Sequence, residues 1–184
     1  MDSYIDIQLK PDAEMPINRL LNTLYTKFHK ALCDLKSEQL GISFPNYKIL
    51  LGNKMRIHGS SDDLTALQQL NWIGGLVGYC EIGQILTVPL DCQYRTVSRK
   101  QTTMSQAKLN RLLKRSSITE QEVKQYRAKM FSKGLDNPYL ELVSGSNGQK
   151  HRRYVEFGEL LDAPVQGEFD QFGLSKTATV PWFD

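Results

Sequence analysis

Residues 3–35 read SYIDIQLKPDAEMPINRLLNTLYTKFHKALCDL, and a change of period inside this stretch decides the fold. Ile5, Ile7 and Leu9 alternate with Tyr4, Asp6 and Gln8, the period-2 pattern of a half-buried strand over Ser3–Lys10. Pro11 and Asp12 end that strand, and Pro16 stands where a helix can begin. From there to Leu35, the residues Leu21, Leu24, Tyr25, Phe28 and Leu32 recur at helical spacing. Downstream, Gly41–Leu51 reads as a strand passing through a turn or bulge at Pro45–Asn46, and Lys54–Gly59 as another strand. Ser61 is expected to cap a short helix over Asp62–Leu70, with Leu64, Leu67 and Leu70 inward. Leu76–Val88 is strand-like, broken at Gly83 and closed by Pro89. The order β-α-β-β-α-β over about 90 residues is that of a ferredoxin-like domain. RNA-recognition domains share this fold but stack bases on the aromatics of an RNP motif, which residues 1–90 lack, so fold alone does not make this half an RNA reader.

Charge organises the second half. Residues 94–117 read YRTVSRKQTTMSQAKLNRLLKRSS and carry Arg95, Arg99, Lys100, Lys108, Arg111, Lys114 and Arg115 with no acidic residue. The segment alternates at first, breaks at Thr102–Thr103, and resumes at Ser105 with helical spacing. On a helical wheel Leu109, Leu112 and Leu113 share one side, while Lys108, Arg111, Lys114 and Arg115 share the other. Leucines inward and a basic stripe outward suit a phosphate backbone. A solvated basic face is the plainer alternative, and the missing acids weigh against it, because an ordinary soluble helix mixes both signs.

The rest of the composition is that of a soluble globular chain, with 40% hydrophobic and 23% charged residues. Residues 1–94 hold 8 Lys and Arg against 10 Asp and Glu, whereas residues 95–184 hold 15 against 10. That asymmetry suggests that one half scaffolds and the other grips a polyanion. Cys33, Cys80 and Cys92 are an odd, widely spaced set without a CxxC pair, so they read as reduced core or boundary thiols. The acidic, alternating opening MDSYIDIQLK is not expected to be a signal peptide, no apolar run approaches a membrane span, and the expected localisation is cytoplasmic.

After the basic helix, Thr119-x-x-Glu122 forms a capping box for a second helix to about Ser132, with Gly134 beyond it. Tyr139–Val143 reads as a strand, Ser144-Gly145-Ser146-Asn147-Gly148 as a tight turn, and Gln149–Phe157 as the partner strand. Pro164–Phe172 reads as a further strand, followed by Gly173-Leu174-Ser175-Lys176 and a final Val180-Pro181-Trp182-Phe183.

His29, His58 and His151 show no metal-ligand spacing, and no acidic cluster resembles a two-metal nuclease site. Cleavage of nucleic acid by such a chain would therefore use the 2′-OH of RNA as nucleophile, with histidine moving the proton. His29 lies at the edge of its helix's apolar stripe and can face a groove, although a boundary histidine making one hydrogen bond fits the same spacing. Ser144 and Ser146 can place a hydroxyl on RNA or merely build their turn. Gly173-Leu174-Ser175-Lys176 can bring backbone N–H groups toward phosphate. Arg99 and Gln101 alternate and so can point the same way, Arg suiting guanine and Gln suiting adenine where a stem end opens the groove. His151, with Arg152 and Arg153, suits stacking on a base and holding phosphates, a solvated strand face being the plainer reading of the two arginines.

Together these residues resemble the CRISPR repeat-processing endoribonucleases of subtype I-F. The likeness runs from Met1-Asp2-x-Tyr4-x-Asp6-Ile7 through Lys27-Phe28-His29-Lys30-Ala31-Leu32, Gly41-Ile42-Ser43-Phe44-Pro45, and Leu51-Gly52 with Arg56-Ile57-His58. It continues through Tyr94-Arg95-x-Val97-Ser98-Arg99-x-Gln101, Ser144-x-Ser146-x-Gly148-Gln149, and Phe172-Gly173-Leu174-Ser175-Lys176 to Val180-Pro181-Trp182-Phe183. The resemblance implies an enzyme that binds a repeat hairpin, cuts at the 3′ base of its stem without metal or cofactor, and stays on the product in a surveillance complex. It implies His29 as the catalytic histidine, Ser144 as the residue holding the 2′-OH, and Ser146 in a supporting role. Arg99 and Gln101 become the base readers, and Lys108, Arg111, Lys114 and Arg115 belong to the helix in the major groove. His151 stands where the family stacks an aromatic beneath the scissile site, and Arg152 and Phe172 complete the RNA-facing set. Where this chain has Phe172 a member of that family has a tyrosine, so the resemblance implies that a hydroxyl near the histidine is missing. The groove helix is also thinner in arginine, with Lys108 replacing one and Asn110 and Leu112 at other basic positions.

The expected fold is α+β: residues 1–92 a ferredoxin-like domain carrying the histidine, and residues 93–184 an α+β RNA-binding domain with an exposed basic helix, serine turn and glycine loop. The expected partners are the CRISPR repeat hairpin RNA or crRNA and other surveillance-complex subunits, with no membrane contact and a monomer when free. Two rivals remain. One is a non-cutting hairpin binder that caps a guide RNA, and the other a DNA-binding regulator using Ser105–Ser132 as a helix-turn-helix. The basic stripe falls on the first helix of that pair, which counts against the regulator.

Overall fold

In a computed structural model, the opening alternation becomes β1 (Ser3–Leu9), whose odd-numbered residues are all buried. The structure describes residues 1–101, 106–132, 136–143 and 148–184. β1 is followed by α1 (Ile17–Leu35), β2 (Gly41–Ser43), β3 (Lys54–Gly59), α2 (Ser61–Gln69), β4 (Cys80–Ile82) and β5 (Leu86–Thr87). The sheet order is β2-β3-β1-β4 with every pairing antiparallel, and β5 continues on β1 beyond β4. Each helical crossover leaves a one-strand gap that the other unit fills, which is the split βαβ topology expected of a ferredoxin-like domain.

The second half adds β6 (Gln93–Arg95), β7 (Val97–Lys100), α3 (Gln106–Lys114), α4 (Glu120–Ser132), β8 (Tyr139–Val143), β9 (Lys150–Phe157) and β10 (Val180–Trp182). β7, β9 and β8 form one antiparallel sheet, and β10 pairs with β6. The chain is thus α+β throughout. A continuous apolar cluster joins Ile5, Ile7, Phe28 and Leu32 to Val97, Leu140, Val155, Leu174 and Val180, on both sides of residue 92. α1 lies at its centre, with Leu20, Leu21, Leu24, Tyr25, Phe28, Ala31 and Leu32 buried. Each large apolar side chain among these contributes about 1.5–3 kcal/mol. The Asn22 side-chain oxygen accepts the Glu141 N–H at 3.0 Å, tying α1 to β8.

Several expectations need correction. Only Gly41–Ser43 of the Gly41–Leu51 segment is strand, because bonds from Tyr47 N to Phe44 O and from Lys48 N to Leu50 O curl the chain there. Ser60, not Ser61, caps α2: its hydroxyl accepts the Asp63 N–H at 3.1 Å, and Leu70, at the helix end, is exposed. Leu76 sits in a 3-10 turn (Gly74–Tyr79) rather than a strand. Pro164–Phe172 is not a strand either. In α3, Leu109 is buried but Leu113 is exposed, so the inward leucine face is narrower than the wheel implied. The Thr119–Glu122 capping box forms as expected, with the Glu122 carboxylate accepting from Thr119 N at 2.8 Å. The Thr102–Thr103 break, Gly134, and the Ser144–Ser146 turn lie outside the described residues.

Residues 169–175 form a laced loop. One Asp170 carboxylate oxygen accepts the N–H groups of Phe172 and Leu174 at 2.9 and 3.0 Å, while the Gly173 N–H donates to Asp170 O at 2.8 Å. Gly173 O accepts from Ile42 N at 3.0 Å, and Ser175 N donates to Val97 O at 2.9 Å. Gly173 has φ +70°, and a methyl there would stand 2.9 Å from Cε1 of Phe28.

A second lock holds the chain's last turn. Arg56 is 2% exposed, bonds both oxygens of Asp6 at 2.6 and 2.9 Å, donates to Phe183 O, and lies over the Phe183 ring at 3.9 Å. His58 is wholly buried beside it, with Nε2 2.8 Å from the Ser43 hydroxyl and no partner for Nδ1 among the described residues. Burial first, and the Arg56 charge second, hold the His58 pKa well below 6.5.

Two expectations follow for stability. His58 stays neutral in the fold, whereas the unfolded chain takes up its proton as pH drops through about 6.5, so stability declines below that pH by up to about 1.4 kcal/mol per unit. Urea melts from pH 7.5 to 5 should show that slope, and His58→Asn should flatten it. Gly173→Ala should lower stability by about 2–3 kcal/mol, from left-handed strain and the Phe28 overlap, read as a lower urea midpoint.

Candidate active site

His29 comes from the exposed edge of α1, one residue beyond the buried Phe28, and is half-buried. Its Nδ1 lies 2.6 Å from the main-chain oxygen of Gln171. A carbonyl oxygen only accepts, so Nδ1 carries a proton, and in the neutral ring the lone pair falls on Nε2. The imidazole stacks on Phe172, with ring centroids 3.7 Å apart and an interplanar angle of 8°. Cys33, one helical turn along, places Sγ 3.7 Å from Nδ1 and 4.0 Å from Nε2 and donates to the Gln171 side-chain oxygen. The laced loop therefore presents both the oxygen that orients His29 and the ring that flanks it.

His29, Lys30, Cys33, Val143, His151 and Phe172 line one groove of about 360 Å³. α1 thus brings His29 to face the β8–β9 sheet, where His151 stands exposed opposite Leu142. Ser144 follows Val143 directly, but Ser144 and Ser146 themselves are outside the described residues. Phe172 is not open to a base on either face. The Arg153 guanidinium carbon lies 3.5 Å from its centroid, and His29 covers the other side.

Arg152 and Arg153, adjacent on β9, part company. Arg152 is exposed and lies over the Tyr139 ring at 4.4 Å, whereas Arg153 is only 5% exposed and points into the body of the protein. Burial pushes the Arg153 pKa below the ordinary arginine range. Arg153 is therefore no solvated phosphate ligand, because strand alternation turns it inward beside Val155.

A second groove, of about 460 Å³, takes Arg99 and Gln101 together, as their alternation implied. Lys176 joins them, and so do Glu38, Glu168 and Asp170. The same loop borders both grooves, through Phe172 in one and Phe169, Asp170 and Leu174 in the other. In the glycine loop the amides of Gly173, Leu174 and Ser175, like that of Phe172, are bonded within the protein and are not offered to phosphate.

Lys108, Arg111, Lys114 and Arg115 are exposed on α3 and its end. Arg95 is withdrawn from the basic surface. It donates to Gly158 O at 2.6 and 3.0 Å and sits in a cage of Tyr47, Phe157 and Trp182. Lys100 is paired with Glu156. The reading of the sequence missed Gln171, Asp170 and Cys33. The Asp170-x-x-Gly173 spacing is a recognisable side-chain-capped turn. Gln171 acts through a backbone atom and leaves no mark in the sequence.

The family model described as CRISPR-associated protein (Cas_Csy4) matches residues 4–183. The chain is 36% identical over 184 residues to the CRISPR-associated endonuclease Cas6/Csy4 of Escherichia coli (strain UTI89 / UPEC), covering 100% of each chain. It is 37% identical over 187 residues to the CRISPR-associated endonuclease Cas6/Csy4 of Pseudomonas aeruginosa (strain UCBPP-PA14), again covering 100% of each. A solved structure described as an RAMP protein binding different RNA substrates covers 97% of this chain and 99% of its own. Its identity is 13% and its TM-score 0.36, too distant to carry an argument. On the full-length match and the two full-length relatives, the chain belongs to the Cas_Csy4 family of CRISPR-associated proteins.

Proposed function

We propose that the chain is an endoribonuclease that binds a CRISPR repeat hairpin, cuts at the 3′ base of the stem without a metal ion, and stays on the product in a surveillance complex. Its full-length relatives named as CRISPR-associated endonucleases support the reaction class. The observation that carries the mechanism is the bond from His29 Nδ1 to Gln171 O, which in the neutral ring leaves Nε2 as the acceptor of a residue that lines a groove of about 360 Å³. In this reading Nε2 takes the proton of the RNA 2′-OH, and the 2′ oxygen bonds to the adjacent phosphorus. The P–O5′ bond then breaks and the 5′ oxygen takes up a proton. The products are a 2′,3′-cyclic phosphate and a 5′-OH. Lys30 sets a positive charge in the same groove, where charge builds on the phosphate. His151 stacks beneath the base, Ser144 holds the 2′-OH, and Ser146 supports it.

The second groove reads the stem's foot, with Arg99 on a guanine edge and Gln101 on an adenine edge. Its three acids repel phosphate and so favour a base edge over the backbone at that point. Lys108, Arg111, Lys114 and Arg115 lie along the opened major groove, with Arg152 at its margin. Residues 1–92 serve as the scaffold that carries His29, residues 93–184 supply the RNA contacts, and the free protein is a monomer. The absent hydroxyl at Phe172 favours a second reading, a non-cutting binder that caps the guide RNA.

A labelled repeat hairpin incubated in EDTA should be cut at one site, leaving a cyclic phosphate. His29→Ala should bind as the wild type does and cut about 10²–10⁴-fold more slowly. Tight binding without cutting by either protein would favour the cap, and loss of binding with the cutting rate kept would remove His29 from the chemistry. Arg99→Ala should weaken hairpin binding by about 1–3 kcal/mol and relax discrimination at one base pair, measured by competition with single-pair variants of the stem.

A further inference from the structure

Three planar groups form one column where α1, β9 and the 169–175 loop meet. The His29 ring centroid lies 3.7 Å from that of Phe172, nearly parallel to it, and the Arg153 guanidinium carbon lies 3.5 Å from the same centroid. Two groups cannot both occupy one face of a six-membered ring at that distance, so Phe172 is sandwiched between an imidazole and a guanidinium. Tyr25 closes one side, its ring 6.0 Å from Phe172 and its hydroxyl donating to Phe172 O at 3.1 Å.

Arg153 is an unusual occupant of that site. It is 5% exposed, and its Nε has no hydrogen-bond partner among the described residues. A buried arginine with an unmade hydrogen bond is unfavourable in itself, and methionine would fill the space without that cost. A cation over an aromatic face is attracted by the ring quadrupole, most strongly when both are withdrawn from water. A phenylalanine has no hydroxyl with which to fix its own plane, so packing on its faces must do so.

We propose that Arg153 is a positioning residue for His29, acting through Phe172: the guanidinium fixes the plane of the Phe172 ring, and the ring fixes the plane of the imidazole and the direction of Nε2. The inference rests on the reading of His29 as the group that meets RNA. It also explains how His29 keeps its orientation beside a residue that has no hydroxyl. The Gln171 oxygen anchors one point of the imidazole, and the Arg153–Phe172 stack removes the remaining rotation about that point.

The test joins a spectrum to a rate. In the free wild-type protein, the carbon-bound ring protons of His29, assigned by their loss in His29→Gln, should resonate upfield from the Phe172 ring current. Arg153→Met should diminish that upfield shift and slow single-turnover cutting of bound repeat hairpin by about 10- to 100-fold, with Kd unchanged. Arg153→Lys, which keeps the charge but not the plane, should fall between the two on both readouts. A wild-type His29 without an upfield shift would overturn the proposal with no variant needed. So would Arg153→Met, or Arg153→Lys if the methionine variant does not fold, with shift and rate both intact. A rate loss with the shift retained would also overturn it, since Arg153 would then act by another route. If the wild type cuts no RNA, the proposed endoribonuclease activity fails, while the spectra still decide whether Arg153 sets the His29 plane.

Discussion

The bond from His29 Nδ1 to the Gln171 main-chain oxygen is the constraint on which the rest of the site depends. His29 and Gln171 are 142 positions apart in the sequence, and their meeting requires two independently built pieces of structure. One is α1, whose apolar stripe is pressed between the ferredoxin-like sheet and β8, so that the helix can neither roll nor slide. The other is the 169–175 loop, which has no regular structure but satisfies its amides on Asp170 and on neighbouring strands. The orientation of His29 is thus fixed by packing on one side and by hydrogen bonding on the other.

Charge is sorted as firmly as apolar surface. Arg56, Arg95 and Arg153 all stack on aromatic rings, and Arg56 and Arg153 are buried; these three hold the fold together instead of facing a polyanion. Guanidinium suits this role, being planar and more weakly hydrated than ammonium. Lys108, Arg111, Lys114 and Arg115, on α3 and its end, are by contrast exposed. Total positive charge in the second half of the chain therefore overstates the surface available to RNA, because part of it is structural.

The ferredoxin-like half was legible because its strands and helices keep clean periods. Ile5, Ile7 and Leu9 bury one face, and Leu21, Leu24 and Phe28 bury one stripe, as simple alternation and the helical repeat demand. Arg99 with Gln101 was legible for the same reason, since alternation on a strand puts both in one groove. Pro164–Phe172 misled because its apolar residues suit a strand, while the backbone is in fact held by the Asp170 turn and by the Phe169 N bond to Glu38 O. Arg153 misled because charged residues on a strand normally face water, whereas here the Phe172 ring, in a distant loop, receives the guanidinium. Contacts between segments far apart in sequence, made by one side chain or one carbonyl, have no period to read.

Orientation of His29 by a carbonyl has an evolutionary side. Every amino acid carries that oxygen, so position 171 can drift through many side chains without disturbing the imidazole, provided that Asp170 and Gly173 keep the backbone turn. A family alignment would then record Asp170 and Gly173 as constrained and pass over the residue whose oxygen makes the contact. The most consequential neighbour of the histidine is hidden from comparative sequence study by its own chemical generality.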